Sequence, residues 1–224
     1  MKTIGLMGPM GSGKSVVARI LAGLGYQRIR FSNPLKNMLR SLGLTTEHIE
    51  GSLKEEPCDL LSGSTPRYCM QTLGANWARE MIDPDFWLNL WLFEIKKLEM
   101  DHKFSKVVSE DCRFPNEAEA IKSMGGEIWE IKRHNYEYEG HSTELAMMDI
   151  APDKIILNHG TIQSLTQAIN KLMKDDITTD NNDVSRDVLN SFYYQSRPRD
   201  RKSKDSPWER LIIKKKERPS DESA

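Results

Sequence analysis

Eight residues near the N-terminus, Gly8-Pro9-Met10-Gly11-Ser12-Gly13-Lys14-Ser15, constrain this chain more than any other feature. They fit the spacing G-x-x-x-x-G-K-[ST] at every fixed position. They also stand where that spacing has a physical meaning. Before them lies a short apolar run, Thr3 to Met7. After them Val17, Ala18, Ile20, Leu21 and Leu24 recur at helical intervals as far as Gly25. A strand, a glycine-rich turn and a helix in that order aim successive backbone N–H groups, and the positive end of the helix, at one point. That cradle selects the phosphates of a nucleoside triphosphate. Lys14 is expected to reach the β- and γ-phosphates, and the Ser15 hydroxyl to ligate Mg²⁺. Gly11, Ser12, Gly13, Lys14, Ser15 and Val16 are therefore the expected ATP-binding residues.

The rest of the first 174 residues continues the alternation of strand and helix. Strands are predicted at 3–7, 28–31, 106–109, 127–132 and 154–157. Helices are predicted at 14–24, 33–42, from Thr65-Pro66 onward, after Asp83-Pro84, at 115–124 and from Thr161 to Leu172. The helix from Thr65 places Met70, Leu73, Trp77 and Met81 on one face, and the next carries Trp87, Leu90, Trp91 and Ile95. This order predicts an α/β fold with a central parallel sheet and helices on both faces. Trp87 and Trp91 serve either the core or a homodimer face.

Composition excludes several classes. Of 224 residues, 32 are Lys or Arg and 33 are Asp or Glu, so a net charge of −1 gives no global pull toward nucleic acid or an anionic membrane. Three cysteines without paired spacing, Cys58, Cys69 and Cys112, speak against a disulfide scaffold and suit a reducing cytoplasm. No signal peptide or membrane-spanning run is expected, and the expected location is the cytoplasm, of a host cell if the gene is a phage's. Residues 175–224 differ: eleven are basic and eleven acidic, with five Asp and one Arg over 175–196 but ten Lys or Arg against four acids over 197–218. They read as a flexible charged tail following a single domain, 1–174. The basic part, beside Phe192-Tyr193-Tyr194 and Trp208, is either a solvated appendage or a docking arm for nucleic acid or a replication protein.

A loop that grips a triphosphate does not name the acceptor. No Asn-Lys-x-Asp segment of a guanine-reading switch is present. An acceptor that is itself a phosphate monoester needs no general base. It needs cations that bring two anions together, which favours arginine. Arg67 opens a helix, and Arg113 and Arg133 follow strands at the carboxyl edge of the sheet, where α/β ligands bind. Arg79 is either one of this set or a surface ion pair. Asp111, at a strand end, is the Walker-B-like carboxylate for the Mg²⁺ shell or a sugar hydroxyl, or else a cap for the helix at 115, with Glu110 the alternative acid.

Several motifs occur in one order: Gly8 to Ser15, Phe31-Ser32-Asn33-Pro34-Leu35-Lys36, Thr65-Pro66-Arg67 with Gln71-Thr72-Leu73-Gly74, Trp77-Ala78-Arg79-Glu80, Asp83-Pro84-Asp85-Phe86-Trp87, Asp111-Cys112-Arg113-Phe114-Pro115-Asn116-Glu117-Ala118 and His141-Ser142-Thr143-Glu144. Over about residues 1–172 the chain resembles the deoxynucleoside monophosphate kinases of tailed bacteriophages. The resemblance implies a P-loop three-layer α/β/α fold with a helical insertion that binds the monophosphate and supplies a lid. It implies transfer of the γ-phosphoryl of ATP, with Mg²⁺, to a deoxynucleoside 5′-monophosphate for DNA synthesis. Ser32 and Lys36 would line the acceptor pocket, and Arg67 and Gln71 would contact acceptor phosphate and base. Trp77 would stack on the base or pack in the core. Arg113 would clamp the transferring group, and 133–150 would close over the site with Arg133 at its entrance. Many relatives carry an acid where this chain has Asn33. Cys112 reads as a small buried hydrophobe. Two other readings are a P-loop kinase of another phosphorylated acceptor, such as dephospho-coenzyme A or a nucleic-acid end, and a nucleotide-dependent switch.

Overall fold

The computed structural model describes residues 1–101, 105–133 and 146–177. His141, most of the expected lid and all of the expected tail but its first three residues lie outside them. Five strands form one parallel sheet: β1 (Lys2–Met7), β2 (Gln27–Arg28), β3 (Lys106–Ser109), β4 (Glu127–Lys132) and β5 (Lys154–Leu157), in the spatial order β2-β3-β1-β4-β5. β1 is central and buried on both sides, which is why it reads as a continuous apolar run. Its register pairs Ile4 with Val108 on one side and with Glu127 on the other.

Each face of the sheet has its own core. On one, Val17, Ala18 and Leu21 of α1 (Lys14–Gly23) and Leu165 and Ile169 of the helix Ile162–Ile177 meet Ile4, Leu6, Trp129 and Ile156. On the other, Trp91, Leu92 and Ile95 of α5 (Phe86–Met100) and Ala118 and Ile121 of α6 (Pro115–Ser123) cover Met7, Val107 and Ile128. The expected three-layer fold is the observed one.

Between β2 and β3 the chain builds a third apolar cluster around Leu35, Leu39, Leu44, Ile49, Ala78 and Trp87. It is made by α2 (Asn33–Ser41), α3 (Thr46–Ile49), α4 (Pro66–Thr72) and a ten-residue π-helical stretch, Leu73–Ile82, followed by the start of α5. Trp87 and Trp91 are 3% and 1% exposed, so both rings belong to the core. The Trp87 indole N–H donates to the carbonyl of Gly74 at 2.9 Å and ties α5 to the π-helical stretch.

Three boundaries and one helix face differ from the expected ones by more than a residue. β2 stops at Arg28 because the Ile29 carbonyl is taken by the hydroxyl of Ser109 at 2.7 Å and the indole of Trp91 at 3.3 Å, which turns the chain out of the sheet. Met81 is 74% exposed and does not share the face of Leu73 and Trp77, because i→i+5 winding over 73–82 advances each residue by less than the α-helical angle. The helix after Asp83-Pro84 starts later, with Asp85 at its cap, since the Asp83 carboxylate folds back on the Asp85 N–H at 2.7 Å. The helix predicted from Thr161, α7 (Ile162–Ile177), begins with the expected Thr161 side-chain cap on Ser164 N–H but passes Leu172 by five residues.

Candidate active site

The carboxyl ends of β1, β3, β4 and β5 deliver four groups to one edge of the sheet. From β1 comes the loop Gly8–Ser15. Gly8, Gly11 and Gly13 all have positive φ (136°, 79° and 106°). A side chain at Gly8 would sit 2.5 Å from the Ile131 carbonyl oxygen, and at Gly13 2.3 Å from the Asn158 amide nitrogen, so both glycines are required. The Lys14 ammonium donates to the carbonyls of Gly8 and Pro9 at 2.7 and 2.6 Å and lies across the loop. Ser15, in the first turn of α1, is exposed and Val16 half-buried. The Ser12 hydroxyl is wholly buried with no partner among the described residues.

Directly after β5 comes Asn158, which sequence reasoning missed. Its side-chain amide donates to the Ser12 carbonyl at 2.9 Å. Its place at a strand end was the available signal. β4 ends in Arg133, whose guanidinium reaches the Gly11 carbonyl at 3.5 Å.

β3 delivers Glu110 and Asp111. Asp111 accepts from Phe31 N–H (3.1 Å) with one oxygen, and from Ser32 N–H (3.0 Å) and hydroxyl (2.6 Å) with the other. The strand end thereby holds the start of the acceptor segment beside the phosphate loop. Glu110, 5% exposed, is bound by Arg28 at 2.5 Å and by Arg30. Burial opposes its charge, but the Arg28 hydrogen bond and both guanidinium charges hold its carboxyl below the usual range.

The ionic chain continues outward. Glu50 accepts from Arg30 and from Lys36, both at 2.8 Å and both on the same oxygen. Burial works against it, yet Lys36 and Arg30 keep this carboxyl low as well. Arg67 pairs with Glu55 at 2.5 Å. Lys54 is half-buried in the short turn Ser52–Glu55, where burial and then the Arg67 charge depress its ammonium below the lysine range. Arg30, Glu50 and Lys54 carried no motif in the sequence. Gln71 is exposed on α4, and Trp77 is half-buried, edge-on to Phe86 at 5.4 Å, so its ring joins the third core.

Arg113 is exposed, and its guanidinium has no partner among the described residues. Its backbone N–H is fixed by Glu117 at 2.9 Å. Glu117 also accepts from Phe114 N–H at 3.2 Å and from Arg79 at 2.6 Å. Arg79 in turn lies over the Phe114 ring at 3.8 Å and donates to the Pro84 carbonyl. Arg79 is thus a structural ion pair that braces the loop carrying Arg113. Burial pushes the Glu117 carboxyl up to about 7, against the Arg79 charge. Cys112 is buried, and burial raises its thiol pKa well above the usual value, as a packing residue requires.

Comparison with known proteins identifies the lineage. A protein of Acanthamoeba polyphaga mimivirus, provisionally named deoxynucleotide monophosphate kinase, is 34% identical over 182 residues, covering 75% of this chain and 94% of that one. Among solved structures, dephospho-CoA kinase from Campylobacter jejuni matches with a TM-score of 0.41 at 16% identity, covering 78% of this chain and 97% of that one. An unliganded sugar kinase from Janibacter sp. HTCC2649 matches with a TM-score of 0.40 at 12% identity, covering 84% of this chain and 98% of that one. Residues 45–169, from the start of α3 through the first half of α7, match the family described as deoxynucleotide monophosphate kinase, and this chain belongs to that family of nucleotide phosphotransferases.

Proposed function

We propose that Gly8–Ser15 holds the phosphates of ATP while Lys36 and Arg67 hold the phosphate of a deoxynucleoside 5′-monophosphate, and that Arg113 and Arg133 neutralise the phosphoryl group passing between them. The observation that carries this reading is the Asp111 bridge, which ties the acceptor segment at Phe31–Ser32 to the sheet edge bearing the phosphate loop. The acceptor oxygen is already anionic near neutral pH, so the enzyme's work is alignment and charge neutralisation rather than proton removal. Lys14, released from Gly8 and Pro9, turns to the β- and γ-phosphates. Ser32 and Gln71 line the nucleoside pocket, and Trp77 walls it through its packing on Phe86.

The exposed Ser15 hydroxyl beside a phosphate cradle is an oxygen donor set that fits Mg²⁺, an ion that reaches such sites on the triphosphate and keeps much of its water. Ser15 and Asp111 are the residues that would hold it, and it would neutralise charge on the β- and γ-oxygens.

A coupled ADP assay over a panel of acceptors tests the reading. The panel holds the four common deoxynucleoside monophosphates, their ribo counterparts, modified pyrimidine monophosphates, dephospho-coenzyme A and a DNA end. Turnover of one or more deoxynucleoside monophosphates is expected. Turnover confined to dephospho-coenzyme A or to the DNA end overturns it, as does slow hydrolysis that no acceptor stimulates.

A further inference from the structure

We propose that Lys54 binds the phosphate of the acceptor nucleotide, completing with Lys36 and Arg67 a three-cation site whose seats are held in the free enzyme by Glu50 and Glu55. This deepens the reading above and rests on it. The segment Glu50–Glu55 puts a carboxylate at each end and Lys54 between them. Glu50 holds Lys36 at 2.8 Å, and Glu55 holds Arg67 at 2.5 Å. The two cations expected from sequence to meet the acceptor phosphate are therefore drawn to the two ends of the turn that carries Lys54.

Lys54 itself makes no ion pair or hydrogen bond among the described residues, although its side chain is half-buried. Burial first, and then the Arg67 and Lys36 charges, weaken its hold on its proton, while the Glu50 and Glu55 charges partly compensate. An ammonium kept partly out of water beside two like charges, with its only balancing carboxylates already paired elsewhere, raises the energy of the empty site. A phosphate dianion entering among the three cations relieves that repulsion. Arg30, shared between Glu110 and Glu50, lets Glu50 move off Lys36 without losing its own counter-charge. The competing role for Lys54 is structural, as a charge that merely balances Glu50 and Glu55. It would not distinguish an acceptor with a phosphate from one without.

The test is steady-state kinetics of Lys54→Gln, Lys54→Arg, Lys36→Gln and Arg67→Gln. The acceptor is the deoxynucleoside monophosphate that the wild type turns over best. Binding of its phosphate-free nucleoside and competitive inhibition by inorganic phosphate are measured beside it. Lys54→Gln is expected to raise the acceptor KM by about tenfold or more, as loss of one charge-assisted contact does. ATP KM, nucleoside binding and melting temperature should barely move. Inhibition by inorganic phosphate should weaken in parallel, and Lys54→Arg should restore most of the affinity. An unchanged acceptor KM in Lys54→Gln, with a raised one in Lys36→Gln and Arg67→Gln, overturns the role of Lys54 and leaves the acceptor site standing. Equal losses for nucleoside and monophosphate also overturn it. Unchanged values in all three glutamine variants overturn the acceptor site, and the inference with it. If Lys54→Gln does not fold, Lys54→Met takes its place in the same measurements, and the same outcomes decide.

Discussion

The side-chain amide of Asn158 donates to the carbonyl of Ser12 at 2.9 Å, so the last strand of the sheet holds the loop that leaves the first. The Asn158 backbone N–H is fixed by Lys132 O at 2.7 Å, and its side chain fills the space that a Cβ on Gly13 would need. The curl of the phosphate loop is therefore set from outside as well as by its own glycines. Asn158→Ala should raise the ATP KM by about tenfold, one hydrogen bond's worth of preorganisation, and leave the acceptor KM within about twofold. Steady-state kinetics with each substrate varied will check this, and an unchanged ATP KM would mean that the loop holds its shape unaided.

Asp111 makes three hydrogen bonds to Phe31 and Ser32, all of them to donors. Asp111→Asn presents an NH₂ group to one of those donors. A loss of about 2 kcal/mol is expected, which is roughly 4–8 °C in melting temperature for a chain of this size. The acceptor KM should rise more than the ATP KM, because the segment set adrift leads to Lys36. A larger effect on ATP than on acceptor would show that the part of Asp111 in holding Mg²⁺ outweighs its hold on the acceptor segment.

Glu117 gives the protein a pH signature. Its carboxyl moves from an ordinary 4.5 to about 7 on folding, with burial the main cause and Arg79 opposing. Between those values the native chain binds more protons than the unfolded one, so stability should fall as pH rises through the window and level off above it. Glu117→Gln should flatten that slope in denaturant melts from pH 4.5 to 8. Arg79→Met should carry the fall on to higher pH and destabilise the protein at neutral pH by about 3 kcal/mol, since a buried carboxylate loses its partner. A wild-type stability that rises over the same range would show that the ion pair with Arg79 outweighs burial.

The sheet was legible because its signals are local. The predicted bounds of β3, β4 and β5 are the observed ones, and the phosphate loop declared itself by spacing and by the strand and helix around it. The acceptor region was legible only as motifs. Its short helices and the turn at Ser52–Glu55 are held by a small shared core and by ion pairs between distant segments, Arg30 with Glu110 and Lys36 with Glu50, which no periodicity records. The π winding of Leu73–Ile82 moved Met81 off its expected face, because a helical wheel assumes one angular step throughout. Arg79 read as either a substrate arginine or a surface pair. Its partner Glu117, 38 residues away and 2% exposed, makes it neither, but a brace for the Arg113 loop.

The most direct measurement is transfer of labelled γ-phosphoryl from ATP to a deoxynucleoside monophosphate by the wild type and by Lys14→Ala, with melting temperatures taken on the same preparations. Labelled deoxynucleoside diphosphate should form with the wild type. Lys14→Ala should fall by about a thousandfold or more while still melting as a folded protein, since the lysine acts on charge developing in transfer. A Lys14→Ala enzyme that turns over at the wild-type rate, or a wild type that places the label only in inorganic phosphate, would contradict the two-phosphate site.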